Sequence, residues 1–150
     1  MRAMCSSLLV VVCGWMCAVA APAPKGEYEL EGTRTVVSSE QDPALGRLPE
    51  GIVWVIASEK LTAGPDQGGD KALTYALKLD STKDPKQIDL VGEFSGRRVV
   101  LRGVYRLEEG QLTVCLGVAA GDAKVVESER PARFEAGKDV QLLVLKWTRK

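Results

Sequence analysis

The sequence predicts an all-β fold, a small antiparallel meander of about eight strands closing into a barrel. Three observations carry this expectation. Beyond the first two dozen residues, apolar positions alternate with period two in short runs bounded by Gly, Pro and Asp. No helical periodicity extends beyond a turn or two. One hairpin can be placed in register on two independent grounds, its turn chemistry and its apolar pattern.

In chain order, the first strand candidates are Thr33 to Ser39, Ile52 to Ala57 and Glu59 to Leu61. Between the first two, Pro43 to Gly51 reads as a loop, with one short helix expected over Asp42 to Leu48. Gly64 to Asp70 is a second loop. Leu73, Tyr75, Leu77 and Leu79 then share one parity, with Thr74, Ala76 and Lys78 on the other, as in a strand with one buried face. Gln87 to Leu90 is the next candidate. In the strand after it, Val99, Leu101, Gly103, Tyr105 and Leu107 share a face opposite Arg98, Arg102 and Arg106.

A two-residue turn at Glu109-Gly110 would be of the primed type, where glycine accepts the positive φ. It pairs Leu107 with Leu112, Tyr105 with Val114 and Gly103 with Leu116, all on the apolar face, and sets Val104 opposite Cys115. Gly121 to Pro131 reads as a loop. Val140 to Thr148 closes the set, and its almost continuous apolar run implies burial on both faces or closure against a neighbour. Closing the sheet removes exposed edges, which favours a barrel over an open sheet.

The chain has 150 residues, enough for one domain with its own core. Twenty basic and twenty acidic residues balance, so the positive field of a nucleic-acid binder or a polybasic membrane-surface module is missing. There is no histidine. Ser-His-Asp and Cys-His catalysis and histidine-ligated metal sites therefore cannot be built. There is no asparagine either, so no N-glycosylation acceptor exists. No G-x-S-x-G and no Gly-rich phosphate loop is present.

The first twenty residues have the layout of a secretory signal: Arg2, an apolar stretch with Leu8-Leu9-Val10-Val11-Val12, and Ala18-Val19-Ala20 as an A-x-A cleavage site after Ala20. The competing reading is an uncleaved anchor, since Cys5 to Ala21 is a little short of a membrane span. Residues 21–26, with Pro22 and Pro24, form a linker, and 27–150 form the barrel domain. Cys5, Cys13 and Cys17 fall inside the leader, so the domain keeps Cys115 alone and no disulfide. Without a basic neighbour or helix start to activate it, Cys115 reads as a packed thiol.

Several segments in order resemble an uncharacterised domain family abundant in planctomycete bacteria. Leu30-Glu31-Gly32-Thr33 is similar to its L-x-G-T-W opening, and Asp80 to Leu90 resembles its D-x-T-x-x-P-K-x-I-D-L segment. Gly103-Val104-Tyr105-Arg106-Leu107 with Leu112-Thr113-Val114-Cys115 resembles its G-I-Y-x-L…L-x-x-C hairpin. Arg130-Pro131 with Phe134 resembles R-P-x-x-F, and Val144-Leu145-Lys146 resembles the closing V-L-K. The resemblance covers roughly Gly26 to the C-terminus and implies an exported, lipocalin-like barrel with no assigned activity. It also implies a tryptophan plugging one barrel end at the position where this chain has Arg34.

No constellation commits to chemistry, and no catalytic, cofactor-binding or metal-ligating residue is assigned. Asp80, Asp84 and Asp89 lack the spacing of a calcium loop and are interrupted by Lys83 and Lys86. Their segment reads as a turn in which Asp80 and Ser81 bond the local backbone and Pro85 directs the path. Arg98, Arg102 and Arg106 read as a solvated exterior with carboxylates beside it. Tyr75, Tyr105, Trp54 and Trp147 are candidates to line a lumen, although eight aromatics in the whole chain favour a mostly filled interior.

The expected function is a non-enzymatic, extracytoplasmic module binding a small apolar ligand or an envelope partner. It involves no cofactor and no nucleic acid, and a membrane only through an uncleaved leader. The alternative is a structural or interaction module of the cell envelope with a filled barrel. A carboxylate hydrolase would need two acidic groups converging in a cleft.

Overall fold

The computed structural model describes residues 28–42, 51–65, 71–119 and 121–148. The leader, the linker and the helix expected within 42–48 (beyond Asp42 itself) lie outside the described residues. After a single 3-10 turn, Tyr28–Leu30, nine strands follow: β1 Gly32–Glu40, β2 Ile52–Ala57, β3 Lys60–Pro65, β4 Leu73–Asp80, β5 Lys86–Phe94, β6 Arg97–Glu108, β7 Gln111–Gly117, β8 Val125–Glu127 and β9 Val140–Trp147.

Eight of them form a closed antiparallel barrel. β1 to β7 pair in sequence, β9 pairs with β7, and β9 then returns to β1. β9 alternates buried Leu143 and Leu145 with half-buried Leu142 and Val144. Its unbroken apolar run therefore reflects closure between two neighbours rather than burial on both faces.

The β6–β7 hairpin has the expected register, with Gly103 opposite Leu116, Tyr105 opposite Val114 and Leu107 opposite Leu112. Glu109 and Gly110 have φ of 50° and 76°, as a type I′ turn requires. The same solution recurs at Ser95-Gly96, with φ of 51° and 74°, between β5 and β6. The right-handed twist of the flanking strands selects this turn, even though Ser95 and Glu109 carry a Cβ.

Two loop expectations are corrected. Gly64 and Pro65 belong to β3, where Pro65 pairs with Ile52 at the strand's last position, and there its missing N–H costs no interior ladder bond. Val125–Glu127, inside the expected loop 121–131, forms β8, which runs parallel to β6 along Arg98, Val99 and Val100. β7 has ended by this point, leaving that part of the β6 edge open. Three residues are too short for period two to show in sequence, so a free edge elsewhere in the fold decides their state.

After β8 the chain crosses the outside of the barrel as a strap. The Ser128 N–H donates to Val100 O and its Oγ accepts from the Arg102 N–H, closing the ladder between β8 and β7. Arg130 anchors the strap, with Nη1 donating to Gly103 O at 2.6 Å and Nη2 paired with Asp89 at 2.7 Å. A Cβ on Gly117 would lie 2.0 Å from Glu129 O, so the strap can pass only over a glycine. Val100, Val104 and Cys115 are buried although they lie on the outer parity.

At the turn after β4, the Asp80 carboxylate accepts from the Thr82 N–H at 3.0 Å and from the Thr82 hydroxyl. These bonds hold the Asp80 carboxyl below its ordinary value, with Lys83 adding to the effect. Its stabilising contribution is therefore present above about pH 4 and is lost as pH falls through the depressed folded value. Urea midpoints of wild type and Asp80→Ala should differ at neutral pH and converge on acidification. Parallel curves down to pH 2 would show that the turn does not depend on this carboxylate.

Candidate functional site

The inward parity of the barrel strands builds the main core: Leu30, Val36, Trp54, Ile56, Leu61, Leu77, Ile88, Leu90, Tyr105, Leu112, Val114, Leu116, Leu143 and Leu145. The two ends of this core differ. At one end the turns after β2, β4 and β6 gather with the start of β1 and the end of β9. There Arg34 is fully buried. Its Nη1 donates to Gly110 O at 3.1 Å, its Nη2 to Glu29 O at 3.2 Å, and its Cζ lies 4.0 Å from the centre of the Trp147 ring.

Arg34 and Trp147 are cross-strand partners, so register alone brings them together. The Trp147 ring lies across Gly32, where a Cβ would stand 2.2 Å from it. The plug that the resemblance places at position 34 is thus an arginine on β1 stacked on a tryptophan from β9. Burial pulls the Arg34 guanidinium below its ordinary value, yet no carboxylate pairs with it among the described residues. Two backbone carbonyls and an aromatic face stabilise the charge instead.

The opposite end is open among the described residues. A cavity of about 470 Å³ enters the barrel between the starts of β2, β4 and β9 and the ends of β3 and β7. Its wall is Trp54, Leu73, Tyr75, Leu90, Leu101 and Leu143, with Leu116, Ile52, Ala63 and Pro65 completing it. Among the described residues Gln141 and Lys71 are the polar side chains that line it beside Tyr75, and no aspartate or glutamate does. Tyr75 packs edge-on against Phe94, ring centres 5.3 Å apart, and burial pushes its phenol up so that it stays protonated.

The expectation of a mostly filled interior is therefore corrected: the half near Arg34 is packed and the other half is hollow. Of the four aromatics, Trp54 and Tyr75 line the cavity, Tyr105 is buried in the packed half, and Trp147 covers the closed end. The reason lies in a small inward side chain on the neighbouring strand. Ala63 sits opposite Trp54, leaving space that a large residue would have occupied.

A polar fringe at this end escaped sequence reasoning. A bulge between Val36 and Ser38 shifts the parity of β1, which turns Ser39 inward opposite Leu143. Gln141 Nε2 donates to Gln41 Oε1 in the next inward pair, and Ser39 Oγ is buried without a hydrogen-bond partner. The signal for Lys71 was present, since it extends the 73-75-77-79 parity by one step toward the mouth.

The remaining candidates are occupied structurally. Arg102 pairs with Glu127 at 2.8 Å, and Arg106 lies 3.9 Å from Glu108 and stacks on Phe134. Such exposed pairs contribute about 0–1 kcal/mol each. Asp80 and Asp89 serve separate contacts, with Thr82 and with Arg130. Cys115 is fully buried and donates to Glu135 O at 3.6 Å, and burial raises its thiol pKa. No family model, curated protein or solved structure matches this chain.

Proposed function

We propose that this protein is an exported binding module, not an enzyme, whose barrel holds a small apolar ligand in the open half. The observation that carries this reading is the 470 Å³ cavity, within the usual size of small-molecule sites and walled by Trp54, Tyr75 and five leucines. The absence of histidine from the chain, and of acidic, serine, threonine or cysteine side chains from the cavity wall among the described residues, supports binding over catalysis. The signal-like leader supports an extracytoplasmic setting.

Magnitudes define what such a site can hold. Each buried methylene contributes about 0.8 kcal/mol, so a ten-carbon chain supplies roughly 8 kcal/mol. Ordering costs subtract from this, and the micromolar range is therefore a ceiling for a purely apolar guest.

The test is titration with the apolar fluorophore N-phenyl-1-naphthylamine. Wild type should enhance its emission saturably with unit stoichiometry. Ala63→Phe, which fills the cavity from the β3 wall, should keep the far-UV spectrum and weaken binding by about tenfold or more. Saturable binding that Ala63→Phe leaves unchanged would place the fluorophore elsewhere. A wild type that binds no fluorophore favours the structural-module reading instead.

A further inference from the structure

Resting on that reading, we infer that the ligand is a linear amphiphile with an anionic head, its tail in the barrel and its carboxylate or equivalent acid at Lys71 in the mouth. Among the described residues the cavity opens at one end, because Arg34, Trp147 and Leu30 seal the other. A guest must therefore leave one terminus at the open end. Composition changes along the cavity: Trp54, Leu90, Leu101 and Leu143 make an apolar interior, whereas Lys71 and Gln141 stand in the mouth. A guest polar at both ends would bury one end among leucines, whereas a guest with one polar end keeps that end at the rim beside Lys71.

The sign of the head follows from the Lys71 ammonium. Among the described residues Lys71 is the charged residue of the wall, and no carboxylate shares the wall with it. Lys71 occupies the inward parity of β4 one step beyond Leu73, so its stem can lie along the apolar wall while the ammonium meets the head at the rim. Since the ammonium is exposed, the pair adds little to affinity. Its effect is discrimination between heads of opposite charge, with the tail driving association.

The experiment uses three twelve-carbon probes of equal tail on the full chain: dodecanoate, dodecanol and dodecyltrimethylammonium. They are titrated below their aggregation thresholds by displacement of the fluorophore. Dodecanoate should displace best, and Lys71→Gln should weaken dodecanoate about threefold to fivefold while leaving dodecanol unchanged. Lys71→Glu should reverse the order of the two charged probes.

Equal binding of dodecanoate and dodecanol, untouched by Lys71→Gln, overturns the anionic head and leaves the apolar site standing. Preference for the cationic probe overturns it too. Failure of all three probes to displace the fluorophore overturns the linear amphiphile, whereas failure of the fluorophore itself to bind overturns the site.

Discussion

Replacing Arg34 with alanine is expected to destabilise the barrel by about 3 kcal/mol or more, read as a lowered urea midpoint with little change in slope. The substitution removes two charge-assisted bonds, to Glu29 O and Gly110 O, and leaves both carbonyls facing a void. It also removes the cation beneath Trp147, a contact worth about 2 kcal/mol when desolvated. Against this stands the cost of burying a guanidinium with no carboxylate beside it.

Arg34→Met decides which term wins. It keeps volume and loses the charge, and a loss of about 1–2 kcal/mol is expected because the carbonyls lose their donors. A methionine variant as stable as wild type would show that shape alone closes this end. A cycle pairing Arg34→Ala with Trp147→Ala should give a coupling of about 1 kcal/mol, since the two side chains act as one plug.

The second large effect is expected at the strap. Gly117→Val places a side chain where Glu129 O and Ser128 already stand, at 2.0 and 2.8 Å from the new Cβ. Backbone cannot yield there without releasing the strap, so a cost of about 2–3 kcal/mol is expected. The readout specific to the strap is Cys115, which is fully buried with Glu135 O above its thiol. A fall of 2 kcal/mol in local opening should speed alkylation of the Cys115 peptide roughly 30-fold, measured by mass spectrometry.

Arg130→Ala should act in the same direction and more weakly, because it removes the anchors to Asp89 and Gly103 O without forcing the chain apart. Unchanged Cys115 labelling in both variants would mean that the thiol is shielded by the barrel wall alone. The two sites also separate by readout. Arg34 variants should lower the global midpoint, whereas strap variants should expose one thiol before the barrel unfolds.

How much of this was legible in the sequence depends on the range of the interaction. The hairpin at Glu109-Gly110 was readable to the residue, because turn chemistry and period-two pattern act within a dozen positions. Tyr75 and Trp54 were recognised as lumen candidates from their parity, yet nothing local separated them from Tyr105 and Trp147. Whether an inward aromatic fills a core or lines a cavity depends on its opposite neighbours. The neighbour of Trp54, Ala63, comes from another strand.

The sequence by itself determined that this is a β protein closing on itself. It also determined the alternation that points leucines inward, the balanced charge, and the absence of histidine chemistry. Only the tertiary structure decided that one end is sealed by Arg34 on Trp147 and the other is hollow. It alone placed Val125–Glu127 on the free edge of β6 and brought Arg130 to Asp89. Periodicity encodes which way a side chain faces, but what it meets is set by closure of the sheet, which joins residues as far apart as Arg34 and Trp147.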